Sequence, residues 1–207
     1  MILEIIVVLI VILLSMTIHE AMHAFMGYAL GDNTAKEEGR LTLNPIRHID
    51  PVMTILLPLI MVVLRAPVFG GAKPVPFNPN RVRFGDWGAA LVALSGPITN
   101  LVIAFIVFGV GVFSGVINSA GAVQSTIFGL IISTAVSVNL GFFVFNMLPI
   151  PPLDGSRILY AVAPDSIRGV MQKIEQNGIL LVMIIVCLLY TSPSPRDYAA
   201  SRMPSSA

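Results

Sequence analysis

The chain has 207 residues, 56% of them hydrophobic and 11% charged, with a formal net charge of +1. That charged fraction is under half of the ~25% usual for soluble domains; with a mean hydropathy of +0.87 it excludes an ordinary soluble domain and indicates an integral membrane protein. The near-neutral balance gives no basis for a nucleic-acid partner, and a single cysteine, Cys187, excludes an intrachain disulfide and any multi-cysteine metal site.

The first apolar run, from Ile2 to Leu30, predicts a membrane-spanning helix closed by the turn formers Gly31-Asp32-Asn33. It has no Lys or Arg ahead of it, carries Glu4 instead, and lacks a small-residue cleavage site before the polar residues further on. It therefore reads as a retained span rather than a cleaved signal peptide. Inside it stands His19-Glu20-Ala21-Met22-His23. On a helix His19 and His23 share one face, and two neutral imidazoles on one face can hold two corners of a tetrahedral zinc site. Glu20 is then close enough to take a proton from a water at the metal. Three ionisable side chains in five positions cost roughly 2.5–3.5 kcal/mol each in hydrocarbon, so their presence in a span calls for a function.

Thr34 to Asp50 is polar, and Arg40-Leu41-Thr42-Leu43-Asn44-Pro45 alternates as a strand would. His48 lies in this loop and reads as solvated or loop-bonding rather than as a ligand. Pro51 to Leu64 is apolar, but its length of about 14 residues falls short of the ~17 a span needs. The Gly- and Pro-rich stretch Phe69–Phe77 follows. The whole segment Pro51–Phe77 is expected to re-enter the bilayer and return, packing near the active site; a short tilted crossing is the alternative. Lys36, Arg40, Arg47, Arg65, Lys73, Arg81 and Arg83 would then share one side. The positive-inside rule makes that side cytoplasmic and the N-terminus external.

A further span is predicted over about Trp87–Phe113, with Gly96-Pro97 expected to bend or open it and Asn100 as a buried polar residue that glues helices or touches a bound peptide. Another runs over about Ile127–Met147 and ends in Asn146-Met147-Leu148-Pro149-Ile150-Pro151-Pro152-Leu153-Asp154-Gly155. A carboxylate on proline-broken backbone at membrane depth needs a partner, which makes Asp154 the candidate third zinc ligand; the bland alternative is an N-cap. Ile179–Tyr190 is a last, short apolar run. Residues 191–207, rich in Ser and Pro, read as a disordered, non-native tail appended to a core of residues 1–190. The fold class is thus an all-α membrane protein, a polytopic bundle of about four to five spans with a re-entrant or short extended segment.

Taken together, His19-Glu20-xx-His23 in one span, Ser95-Gly96-Pro97-xx-Asn100 in a later one and Asn146-xx-Pro149-xxx-Leu153-Asp154-Gly155 after that resemble the site-2 proteases, which are intramembrane zinc metalloproteases. Gly71-Ala72-Lys73-Pro74-Val75-Pro76 is similar to a loop of their short prokaryotic members, which lack a PDZ domain. The resemblance implies one Zn²⁺ held by His19, His23 and Asp154, with Glu20 as general base. It also implies that Asn146 contacts the substrate backbone or oxyanion and that Asn100 assists in substrate positioning. The implied partners are a transmembrane-helix substrate and the lipid bilayer of a prokaryotic cell membrane, with the active site nearer the cytoplasm. Two rivals remain at this stage, a zinc transporter or sensor and an inactive substrate-binding homologue.

Overall fold

A backbone in hydrocarbon must satisfy its own N–H and C=O groups, and a helix does so within one segment. In the computed structural model, which describes residues 2–56, 59–60, 72–118 and 120–178, the apolar runs are helical. The elements are α1 (Ile2–Ala29), the single turn α2 (Thr34–Glu37), α3 (Gly85–Phe113), α4 (Ile127–Asn146), α5 (Ser156–Val162) and α6 (Asp165–Gln176). A 3₁₀ turn at Pro45–Arg47 and a π-helical turn at Pro51–Leu56 lie between α2 and α3. Among the described residues there is no strand, only an isolated bridge between Ile117 and Val123.

Among the described residues three helices, α1, α3 and α4, are long and apolar enough to cross a membrane. At 1.5 Å per residue they run roughly 42, 43 and 30 Å, against a hydrocarbon core of about 30 Å. The all-α class stands. The last apolar run, Ile179–Tyr190, and the tail 191–207 lie outside the described residues, and so does most of the expected re-entrant run after Leu56.

The packing is inside-out relative to a soluble bundle. On α1 the buried side includes Ser15, Thr17, Ala21, Ala24 and Gly27, while Ile2, Ile6, Ile10 and Leu14 are exposed. On α3, Ala89, Ala90, Ala93, Gly96 and Ala104 are buried, while Phe105, Ile106 and Phe113 face outward. Small residues let helix backbones approach closely where lipid provides no hydrophobic drive, and large apolar side chains meet the lipid. The three spans pack pairwise on one another. Pro97 offers no N–H to the carbonyl of Ala93, yet α3 continues unbroken through it.

Between α2 and α3 the chain is stapled by buried polar side chains. Arg40 donates to the carbonyls of Arg47, Lys73 and Pro74. The Lys73 amide donates to the His48 carbonyl at 2.9 Å. The two described flanks of the segment thus meet; residues 57–58 and 61–71, on which the expected re-entry falls, lie outside the described residues. The alternation over Arg40–Pro45 does not form a strand, because Arg40 turns inward to hold these carbonyls instead of joining a ladder. His48 is buried, with Nε2 at 2.8 Å from the Thr42 carbonyl, so it is loop-bonding and not solvated. The strap from Ala72 to Asn78 is tied at its far end by the Asn78 amide, which donates to Asp32 Oδ2 at 2.6 Å.

Candidate metal centre

His19 and His23 stand one turn apart on α1, with ring centroids 4.7 Å apart. His19 lies roughly 15 Å of helix from Ala29, well inside the span. Asp154 arrives from the far end of the chain. The Gly155 amide donates to the Asn146 carbonyl at 2.7 Å, folding the Leu148–Leu153 corner back onto the end of α4. Gly155 is required there, since a Cβ would sit 2.4 Å from the Met147 carbonyl oxygen. Asp154 is not an N-cap: the cap of α5 is Gly155, with no side-chain cap bond.

The three groups converge, their ligand atoms all within 4.8 Å of one another. His19 Nε2 and His23 Nε2 are 3.0 Å apart, and Asp154 Oδ2 lies 3.2 Å from the first and 3.4 Å from the second. Tetrahedral zinc with bonds of about 2.0–2.1 Å sets its ligand atoms roughly 3.3–3.4 Å apart. The observed triangle is within a few tenths of an ångström of that.

Donor chemistry makes the same point. His23 Nδ1 lies 2.8 Å from the Val92 carbonyl, which can only accept, so Nδ1 carries the proton. His19 Nδ1 donates to Asn100 Oδ1 at 2.5 Å. Each Nε2 then presents a lone pair, and the third group is a carboxylate. Three acceptors facing one another repel unless a cation lies between them, and an imidazole fixed through its other nitrogen is the usual arrangement of a metal-bound histidine. The residues fit a zinc ion.

α3 completes the enclosure. Gly96 faces both rings, and a Cβ there would come within 2.6 Å of His23. Beside the ligands opens a cleft of about 150 Å³ lined by Glu20, His23, Val75, Phe77, Asp154 and Arg157, among others. Glu20 Oε2 accepts from the Val75 amide of the strap at 3.0 Å. Arg157 is paired with Glu175 and lies over the Phe77 ring, 5.9 Å from its centroid.

Asn100 and Asn146 do not line this cleft. Asn100 has no exposed surface, and both ends of its amide are engaged, by His19 and by Asn139. The Asn146 amide donates to the Phe142 carbonyl of its own helix. Sequence reasoning missed Asn139, Val75, Arg40 and Asp32. Asn139 carried a signal, as a polar residue inside an apolar span; the amide of Val75 carried none, because a main-chain group has no residue identity.

The model of peptidase family M50 matches residues 113–190. A Bacillus subtilis protein named "Putative zinc metalloprotease YwhC" is 38% identical over 181 residues, covering 85% of this chain and 78% of its own length. A Mycolicibacterium smegmatis protein named "Putative zinc metalloprotease Rip2" is 29% identical over 184 residues, covering 84% of this chain and 64% of its own length. The chain thus spans slightly under two thirds of that relative. No solved structure matches the chain.

Proposed function

The chain belongs to peptidase family M50 and is a zinc metalloprotease and integral membrane protein; from that premise we propose that it is an endopeptidase cutting peptide bonds within or beside transmembrane segments. One observation carries the proposal. His19, His23 and Asp154 close into a metal-sized triangle beside Glu20, on helices whose outer faces are apolar.

In this reading His19, His23 and Asp154 hold the zinc. When bound, the zinc supplies a Lewis acid that polarises the scissile carbonyl and brings the pKa of water toward ~7. Glu20 takes the proton of the attacking water and passes it to the leaving amine. The Val75 amide holds the Glu20 carboxylate at the cleft. Asn146 could serve the oxyanion only after leaving the Phe142 carbonyl, a change of rotamer.

A helix holds its carbonyls in internal hydrogen bonds, so the bond to be cut must enter unwound. The strap supplies backbone for such an extended peptide: Pro74 and Pro76 lack an N–H and the Val75 N–H is held by Glu20, which leaves Phe77 as the donor for strand addition. The positive-inside rule puts the strap and the site toward the cytoplasmic face of a prokaryotic cell membrane.

The test is cleavage of a transmembrane peptide by the full chain in liposomes, with products mapped by mass spectrometry. Glu20→Gln should lower the rate roughly 10²–10⁴-fold with zinc content unchanged. Retained cleavage would remove Glu20 from the chemistry. Cuts confined to soluble, unfolded substrates would refute the intramembrane assignment.

A further inference from the structure

The two histidines reach the same tautomer by different means. His23 Nδ1 faces the Val92 carbonyl, an atom that can only accept. His19 Nδ1 faces a side-chain amide, that of Asn100, at 2.5 Å. An amide has an accepting end and a donating end of nearly equal shape. Turned round, Asn100 would present its NH₂ to Nδ1, shift the ring proton to Nε2 and close that nitrogen to a metal. The direction of the Asn100 amide therefore matters to the site, and His19 itself does not dictate it.

The direction is set one residue further from the metal. Asn100 Nδ2 donates to Asn139 Oδ1 at 2.8 Å. Asn139 Nδ2 donates to the Ala135 carbonyl at 2.8 Å and to Ser15 Oγ at 2.9 Å. The Ala135 carbonyl can only accept, so Asn139 must keep its NH₂ there and its oxygen toward Asn100. That oxygen in turn requires the NH₂ of Asn100, whose own oxygen is left for His19. The Ser15 hydroxyl can give or take a proton, so it carries no directional information. Relative exposures are 5% for Ser15, 3% for His19, 0% for Asn100 and 1% for Asn139, so bulk water does not mend a reversed link.

We propose that Asn139 is a positioning residue of the metal site: anchored on the Ala135 carbonyl, it fixes the polarity of the Asn100 amide and so holds His19 as the Nδ1–H tautomer with Nε2 open to zinc. The proposal rests on the reading of His19 as a ligand. It gives α4 a part in the metal site through a side chain remote from the ion, and it makes the two histidines unequal. His23 is set directly by main chain, His19 through two amides.

The experiment uses the full chain in detergent. Zinc affinity is read by chelator competition, and histidine tautomers by ¹⁵N NMR of the zinc-free protein at a pH where the rings are neutral. With three histidines in the chain the ring signals can be assigned by single substitutions. Loss of zinc binding in His19→Ala is the check on the underlying reading; retention there would overturn that reading and leave the relay without an object. Asn139→Leu should weaken zinc binding about 10–100-fold, the range for groups that orient metal ligands, and mix the His19 tautomers while His23 stays unchanged. Ser15→Ala should leave the affinity close to wild type. Asn100→Asp added to Asn139→Leu should restore binding, because an ionised carboxylate has no donating end to turn the wrong way. Asn139→Ala, which cannot overpack the site, is measured in parallel and read the same way. Wild-type affinity in folded Asn139→Leu or Asn139→Ala, a pure Nδ1–H His19 in either, or failure of the carboxylate rescue would each overturn the proposal.

Discussion

Gly96→Ala puts a methyl group between α3 and the ligand pair. The new Cβ would lie 2.6 Å from His23 Cε1 and Nε2, and 2.7 Å from His19 Nε2. Comfortable contact between heavy atoms begins near ~3.5 Å, so the overlap is roughly 0.8–0.9 Å on both rings. Neither ring is free to swing away, since each Nδ1 is held, one by Asn100 and the other by the Val92 carbonyl. The helix must retreat or the ligand nitrogens must spread, and a metal site tolerates only about 0.2 Å in its bond lengths. Overpacking of this kind costs about 1–3 kcal/mol. If the zinc-loaded state bears that strain, the affinity falls roughly 5- to 140-fold at 1.4 kcal/mol per decade. Helix propensity works the other way, favouring Ala over Gly by about 1 kcal/mol in a helix interior. The signature is therefore specific: weaker zinc binding by chelator competition, slower cleavage, and no loss of helicity by circular dichroism. A Gly96→Ala protein with wild-type zinc affinity and cleavage rate would refute the close approach of α3 to the metal ligands.

Asp154→Ala should bind zinc more weakly than wild type by at least tenfold, and Asp154→Asn should recover little of the loss, because a neutral amide oxygen is a poorer ligand than a carboxylate; zinc content per chain checks both. Arg40→Lys should loosen the strap, because a compact ammonium cannot reach the carbonyls of Arg47, Lys73 and Pro74 together as the guanidinium fork does. Proteolytic nicking near residues 72–78 should rise and peptide cleavage fall about tenfold, with zinc content unchanged; an unaltered nicking pattern would count against the clamp. Burial alone would raise the Asp32 carboxyl pKa, but hydrogen bonds from the Thr34 hydroxyl and amide and from the Asn78 amide outweigh it and hold the group below its ordinary value. The stabilisation is then complete above the ordinary carboxylate value near pH ~4 and is lost as the pH falls through the lower folded value. Asp32→Asn should flatten that acid limb in a thermal-stability profile, and an unchanged limb would assign it to other carboxylates.

Much of this molecule is legible before any coordinates. The apolar runs are helical because lipid leaves the backbone no other way to pair its polar groups, which is why α1, α3 and α4 fall where hydropathy put them. His19 and His23 meet because the helical repeat puts i and i+4 on one face. Asp154 was signalled by its cost, a carboxylate on broken backbone beside an apolar span, and the fold brings it within 3.4 Å of both imidazoles. The distribution of Lys and Arg predicts that the segment after His48 re-enters, and the Lys73–His48 bond shows that its two described flanks meet.

Side-chain types and their periods, then, determined the membrane class, the helices and the residue types of the candidate metal site. Only the tertiary structure decided which amide faces which acceptor, that the Val75 N–H reaches Glu20, that Arg40 staples the strap, and that Gly96 must remain small. The physical reason lies in what each kind of information encodes. Hydrophobic transfer and helical repeat act on one residue or one segment at a time and can be summed along a chain. Hydrogen-bond polarity and steric closeness between α1, α3 and α4 exist only once three separate helices meet, and some of the groups involved, such as the Val92 and Ala135 carbonyls, are main-chain atoms that every sequence carries alike.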